Sequence, residues 1–91
     1  MAAASQVVKI VNKRGLHARA SARFVGAAAA MEGTTVRVRK DGNSALGSSI
    51  LGLMMLGAAK GDTIEIEAEG EQAESRLAEL VALVVSGFGE D

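Results

Sequence analysis

Hydrophobic and polar positions alternate along three of four segments that are predicted to be β-strands, each with one buried and one solvated face, and the short third segment is expected as the return strand of a hairpin. The segments span residues 6–11, 34–40, 43–46 and 62–68. In the last segment, Ile64 and Ile66 are expected to face inward and Glu65 outward. The dipeptide Asp41-Gly42 separates the second and third segments, and it is typical of a tight hairpin turn.

Three other segments show helical spacing or helix-capping residues, and they span residues 18–31, 50–56 and 72–86. In the first of these, apolar residues recur at helical spacing and form one face: Ala20, Phe24, Ala27, Ala28 and Met31. Serines precede the second segment, and serine is a preferred N-cap. Gly33, Gly57 and Gly87 follow the three segments, at the position where glycine commonly ends a helix.

The element order is therefore β-α-β-β-α-β-α. Each of the two strand-to-strand connections that contain a helix is expected to be a right-handed crossover. Strands with one polar face suit an antiparallel sheet that is covered on one side only. The sequence thus predicts an α+β fold, an open-faced β-sandwich in which three helices cover one face of a four-stranded antiparallel sheet with strand order 1-4-2-3.

Composition narrows the class of protein. The chain has 91 residues, which suits one domain over residues 1–91, and 48% hydrophobic but 2% aromatic residues require an aliphatic core. A net charge of −1 does not indicate a nucleic-acid partner. With no cysteine and one histidine, we expect no disulfide and no metal or cofactor site. The chain shows neither a signal peptide nor a long apolar run, which predicts a cytoplasmic protein without membrane insertion.

The one histidine, His17, lies where a loop over residues 12–16 meets the first predicted helix. The first turn of a helix has unpaired N–H groups and the positive end of the helix dipole, so it can bind an anion. Arg19 adds a positive charge two residues later. Both features disfavour the imidazolium, so we expect a neutral, nucleophilic His17 that can carry a phosphoryl group. A lone histidine near a helix start is more often a solvated polar residue, and the rest of the chain must decide between the two interpretations.

The second predicted helix is too apolar for all its side chains to be buried in a protein of this size. Some of the residues Ile50, Leu51 and Met54 are expected to be exposed and to form a docking patch, in which a flexible methionine adapts to different partners. Leu53 and Leu56 are expected to belong to the core. The preceding serines are expected to cap the helix, where a phosphate would be tolerated electrostatically.

The remaining charged residues suggest no catalytic group. Arg37 and Arg39 are expected to pair across strands with Glu65 and Glu67. The sequence shows no nucleotide-binding loop and no Ser-His-Asp set. One histidine without a second catalytic group predicts a covalent carrier and not a self-contained enzyme.

Two motifs together resemble a known family. Residues 15–19, Gly-Leu-His-Ala-Arg, and residues 49–54, Ser-Ile-Leu-Gly-Leu-Met, are similar to those of HPr, the histidine-containing phosphocarrier of the bacterial phosphotransferase system. The resemblance extends from Val7 to the last helix and implies the same open-faced sandwich. It implies that His17 accepts phosphate on Nδ1 from phosphorylated enzyme I and passes it to an enzyme IIA component. It also implies that Arg19 assists and that Ser49 is a regulatory site for HPr kinase.

The chain departs from the family pattern at two positions. Ala20 stands where the family usually has proline, which would pre-set the start of the helix. Ser48 stands where a basic residue is common, so whether a kinase modifies Ser48 or Ser49 is open. Ala20-Ser21 and the run over residues 53–56 resemble the proteobacterial branch that serves nitrogen-linked regulation. The choice between that branch and sugar uptake, and hence the acceptor, is open.

Other classes of α+β protein remain as alternatives. A small-ligand-sensing regulatory module shares the strand-helix pattern, but it would not need a histidine at a helix start and usually dimerises through its sheet. An RNA-binding module stacks bases on aromatic residues of its sheet, and this sheet has none. A carrier that presents one face to successive partners is most simply a monomer.

Overall fold

The computed structural model describes residues 2–90 and contains the predicted elements in the predicted order. The elements are β1 (Ala3–Lys9), α1 (Ala18–Ala29), β2 (Thr34–Lys40), β3 (Asn43–Leu46), α2 (Ile50–Met55), β4 (Thr63–Gly70), α3 (Ala73–Val85) and a short 3₁₀ turn (Gly87–Gly89). The four strands form one antiparallel sheet in the order β1-β4-β2-β3. The predicted open-faced α+β sandwich with strand order 1-4-2-3 is confirmed.

The alternation in β4 sets which face of the sheet is covered. Ile64 and Ile66 are buried, as predicted; both pair with β1, and Ile66 also pairs with Val38 of β2. On the opposite face, Arg39 of β2 lies 3.6 Å from the carboxylate of Glu65 and 3.2 Å from that of Glu67. The cross-strand ion pairing predicted for these positions is therefore confirmed for Arg39.

The core lies between the sheet and the helices and is aliphatic except for two phenylalanines. α1 packs against α2 and α3, and α3 packs on β1 and β4. The largest fully buried side chains include Phe24, Phe88, Ile10, Leu53 and Leu80. Because α1 packs against both α2 and α3, the position of its N-terminus is fixed.

Several predicted boundaries were wrong by one to three residues. β1 begins at Ala3 because residues 3–5 pair with residues 67–69 of β4, a contact that no local pattern shows. α1 ends at Ala29, since the N–H of Met31 donates to the carbonyl of Ala28 in a tight turn that directs Met31 into the core. Gln72 precedes α3 instead of starting it, because its φ of 52° is left-handed. Within residues 2–90, no helix is long and apolar enough to cross a membrane.

Candidate functional site

His17 occupies the N-cap position of α1. Its Nδ1 accepts a hydrogen bond of 3.2 Å from the backbone N–H of Arg19. An N-cap side chain normally uses an oxygen for this bond, and here an imidazole nitrogen replaces it. The lone pair of Nδ1 therefore points at the N-terminus of the helix, beside the groups that can stabilise an anion.

The loop before His17 is held against the rest of the protein by backbone contacts. Gly15 has a φ of +62°, and a Cβ at this position would lie 2.2 Å from the carbonyl oxygen of Ala58. The N–H of Leu16 donates to that same oxygen at 2.9 Å, and the Leu16 side chain is buried. Ser21, also buried, donates its hydroxyl to the carbonyl of Leu16 at 3.1 Å. Leu16 therefore anchors this loop in the core, and it fixes where His17 begins the helix.

The second nitrogen of the imidazole contacts a carboxylate that the sequence analysis did not predict. Nε2 of His17 lies 2.7 Å from Oε2 of Glu90. Since Nδ1 accepts a hydrogen bond from the backbone, Nε2 carries the ring proton and donates it to Glu90. The amide nitrogen of Asn12 donates to Oε1 of Glu90 at 3.0 Å and to the carbonyl of Gly15 at 2.8 Å. The ring is thus held on both sides, by the helix start and by the carboxylate.

Glu90 is ionised at neutral pH. Partial burial is the largest single influence and raises the pKa of this carboxyl group. Hydrogen bonds from Asn12 and His17, with the positive charge of Arg19, together outweigh burial and hold the pKa of Glu90 below its ordinary value. The site therefore contains one stable negative charge next to the imidazole.

An open cleft of about 500 Å³ surrounds the imidazole. It is lined by four cations, one carboxylate, the histidine and a glycine: Lys13, Arg14, Arg19, Arg23, Glu90, His17 and Gly89. Positive side chains at a helix N-terminus form charge-assisted hydrogen bonds with phosphate oxygens. Of these four cations, only Arg19 was predicted from the sequence to lie beside His17.

The tail after α3 brings Glu90 to the site. Phe88 is fully buried, with a left-handed φ of 58°, and its carbonyl accepts a hydrogen bond from the Arg23 guanidinium. The burial of this ring fixes the residues on either side of it. A phenylalanine between two glycines beyond the last helix was the one signal in the sequence that this tail folds back onto the protein.

The second predicted site lies on α2, which packs against α1. Ser49 is the N-cap of this helix, and its hydroxyl accepts a hydrogen bond of 2.9 Å from the N–H of Gly52. Ser48 is exposed and does not cap the helix, so the predicted capping is correct for Ser49 alone.

The exposure predicted for α2 is confirmed. Ile50 is 41% exposed, Leu51 67% and Met54 40%, whereas Leu53 and Leu56 are buried. Met55, which the sequence analysis did not include, is the most exposed residue of this group at 77%. We call Ile50, Leu51, Met54 and Met55 the α2 patch. Within residues 2–90, no cluster of three potential metal-ligating side chains is found.

Comparison with known proteins connects this site with a family. The chain matches the family model described as the PTS HPr component phosphorylation site over residues 4–86. Phosphocarrier protein HPr of Neisseria meningitidis serogroup B (strain MC58) is 44% identical over 85 residues, which cover 93% of this chain and 94% of the relative. Phosphocarrier protein NPr of Escherichia coli K12 is 40% identical over 86 residues, or 94% of this chain and 96% of the relative. The crystal structure of HPr from Thermoanaerobacter tengcongensis is similar, with a TM-score of 0.90, 38% identity, and coverage of 97% of this chain and 98% of that one.

Proposed function

Because this chain belongs to the HPr family of phosphocarrier proteins of the phosphotransferase system, we propose that His17 accepts a phosphoryl group from phosphorylated enzyme I and passes it to an enzyme IIA component. The observation that carries this proposal is the orientation of Nδ1, which faces the N-terminus of α1 and the cations of the cleft. In this role the protein is a covalent carrier and a substrate of two partners in succession. It is not a catalyst with its own turnover.

The geometry supports a simple transfer step. Nδ1 releases the N–H of Arg19 and gives its lone pair to the phosphorus. At the same time the bond between the phosphorus and enzyme I breaks, and its electron pair stays on the atom of enzyme I that carried the phosphoryl group. The freed N–H and the guanidinium of Arg19 can then donate to the phosphoryl oxygens, the guanidinium in a bidentate manner. The groups that bind the anion after transfer are therefore already in place before it.

Labelling from phosphoenolpyruvate tests this function. With enzyme I, Mg²⁺ and phosphoenolpyruvate, the wild-type protein should take up one phosphate that is acid-labile and base-stable. His17→Ala should take up none, although it stays folded, because losing an N-cap costs about 1 kcal/mol. A His17→Ala protein that is labelled at the wild-type rate would refute the assignment.

Both partners are proposed to dock on a surface made by the start of α1 and the α2 patch. Docking is mainly hydrophobic, and the methionines adapt to the two different partners. Met54→Glu should therefore slow phosphoryl transfer from enzyme I without unfolding the protein. Val85, an apolar residue of α3 that is 60% exposed, provides the matched control, since Val85→Glu should leave the rate unchanged. Equal rates for the two variants would contradict docking on this patch.

Ser49 is proposed as a regulatory site for HPr kinase. A phosphate at this N-cap is compatible with the helix dipole, so the fold should survive its addition. It would place a dianion beside the apolar docking patch, so that desolvation and like-charge repulsion both oppose docking. Ser49→Asp should slow labelling of His17 without unfolding the protein, since aspartate can still cap α2. If Ser49→Asp were labelled at the wild-type rate, Ser49 would be only a helix cap and not a regulatory site.

The IIA component that accepts the phosphoryl group determines whether the chain serves sugar uptake or nitrogen-related regulation. Relatives named HPr and NPr are similar to this chain to a comparable degree. Transfer from the phosphorylated protein to purified IIA components of the sugar and the nitrogen-related types distinguishes the two roles. We further propose that the chain acts in the cytoplasm, as one carrier domain over residues 1–91 and as a monomer, since one face must serve both partners in turn.

A further inference from the structure

The contact between His17 and Glu90 has a consequence for the phosphorylated state of the ring. Nδ1 faces the helix start and Nε2 donates its proton to the carboxylate at 2.7 Å. Both side chains are largely sheltered from solvent, with 19% exposed for His17 and 13% for Glu90. A phosphoryl group that bonds to Nδ1 therefore leaves the Nε2 contact intact.

Phosphorylation of Nδ1 changes the charge of the ring. The lone pair of Nδ1 forms the N–P bond and Nε2 keeps its proton, so the imidazole becomes cationic. Lys13, Arg14, Arg19 and Arg23 line the same cleft and oppose this charge. Glu90 is the one carboxylate among the described residues that line it. The anionic phosphoryl group also faces the ring, but it shares its charge with Arg19 and the helix N-terminus.

We propose that Glu90 is the counter-charge that keeps Nε2 protonated throughout the transfer cycle, so that the phosphoryl group moves on and off Nδ1 without a proton entering or leaving the ring. This inference rests on the proposed phosphorylation of His17. When the group leaves, the electrons of the N–P bond return to Nδ1 as a lone pair and the ring becomes neutral. A cationic ring is the better leaving group, so Glu90 keeps the phosphorylated protein ready to donate.

Two features of the fold hold the carboxylate in position. The amide nitrogen of Asn12 bonds both Gly15 and Glu90, while its Oδ1 is buried and has no hydrogen-bond partner among residues 2–90. An unpaired buried acceptor costs free energy. Asn12 thus orients Glu90 at the expense of a hydrogen bond to its own Oδ1. Phe88, two residues before Glu90, anchors the tail in the core. Asn12 is therefore a positioning residue for Glu90.

A spectroscopic experiment tests the role of Glu90 without enzyme I. The protein, labelled with ¹⁵N in histidine, is phosphorylated chemically with phosphoramidate, and ¹⁵N spectra are recorded over a series of pH values. In Glu90→Gln, Nε2 of the phosphorylated ring should lose its proton about 1 pH unit lower than in the wild type. Glu79→Gln is the matched control, because Glu79 is exposed on α3 and does not line the cleft. At a mildly alkaline pH, hydrolysis of the phosphorylated ring should be up to about tenfold slower in Glu90→Gln, since fewer rings are cationic.

The outcomes separate this inference from the proposed function. Loss of the Nε2 proton at the same pH in the wild type and Glu90→Gln overturns the role of Glu90, as does chemical phosphorylation on Nε2. Glu90→Asp, whose carboxylate is retained on a shorter side chain, should fall between the wild type and Glu90→Gln. A protein that takes no phosphate from enzyme I contradicts the proposed function, while the chemically phosphorylated protein still tests Glu90.

Discussion

Gly15 provides a sharp test of how the loop before His17 is built. Replacing it with alanine has two effects that can be separated. The residue must keep a φ of +62°, and its new Cβ would lie 2.2 Å from the carbonyl oxygen of Ala58 and 2.8 Å from the Cα of Ala59. Gly57 has a similar φ of +67°, but a Cβ there would meet no atom within 4 Å. Gly57→Ala therefore reproduces the backbone strain without the collision.

The difference between the two variants follows from the distances. A left-handed backbone costs alanine about 1 kcal/mol, which applies to both variants. At Gly15 the colliding atoms belong to the backbone, so the loop must move by about 1 Å to reach ordinary contact. That movement breaks the 2.9 Å bond between Leu16 and Ala58, which costs about 1–3 kcal/mol, and partly exposes Leu16, which costs about 1 kcal/mol more. We expect Gly15→Ala to lower the free energy of unfolding by about 3–5 kcal/mol and Gly57→Ala by about 1 kcal/mol.

Urea unfolding followed by far-UV circular dichroism measures both values, since the chain has no tryptophan or tyrosine for fluorescence. Because the displaced loop carries His17, Gly15→Ala should also be labelled more slowly by enzyme I under conditions in which it is folded. If the two glycine variants lose equal stability, the loop tolerates the collision and the argument from the backbone contact is wrong.

Three further predictions use the same measurements. Arg19→Ala should slow transfer to His17 by about tenfold to a thousandfold, whereas Arg37→Ala, on the exposed face of the sheet, should not; equal rates for Arg19→Ala and the wild type would show that the helix N-terminus suffices. Ser49→Ala should lower the free energy of unfolding by about 1 kcal/mol through loss of the Gly52 cap, and Ser48→Ala should leave it unchanged; equal losses would contradict the assignment of the cap. Because the pKa of Glu90 is lower in the folded protein than in the unfolded chain, its ionised carboxylate stabilises the fold at any pH above the ordinary pKa of glutamate. This stabilisation is lost as the pH falls through the pKa that Glu90 has in the folded protein. Wild type should thus be more stable than Glu90→Gln at pH 7 but not at about pH 2–3, and a difference that persists in acid would exclude the charge of Glu90 as its cause.

The sequence alone determined the elements and their arrangement in the sheet. Alternation over residues 34–40, followed by the Asp41-Gly42 turn and a short return segment over residues 43–46, was sufficient to predict the hairpin of β2 and β3. Ser49 before an apolar run predicted both the cap of α2 and the exposure of its outer residues. These features are local, because capping, turn conformation and the burial of one face depend on residues that are close together in the chain.

The strand order also followed from the sequence, but by a different route. Two helical connections, one hairpin and strands with a single apolar face leave few antiparallel arrangements, and 1-4-2-3 satisfies them all. The pairing of residues 3–5 with β4 did not follow, since Ala3 and Ala4 have weak strand propensity and are extended because a neighbouring strand supplies hydrogen bonds.

Only the tertiary structure decided the surroundings of His17. The sequence placed His17 and Arg19 at the start of a helix, but Glu90 reaches the ring across 73 positions of the chain. That contact depends on the burial of Phe88 in the core. It also depends on the buried Asn12, which donates hydrogen bonds to both Gly15 and Glu90. Each of these interactions joins residues that no local pattern connects, because the free energy that favours them arises from packing of the complete core and not from the conformational preferences of neighbouring residues.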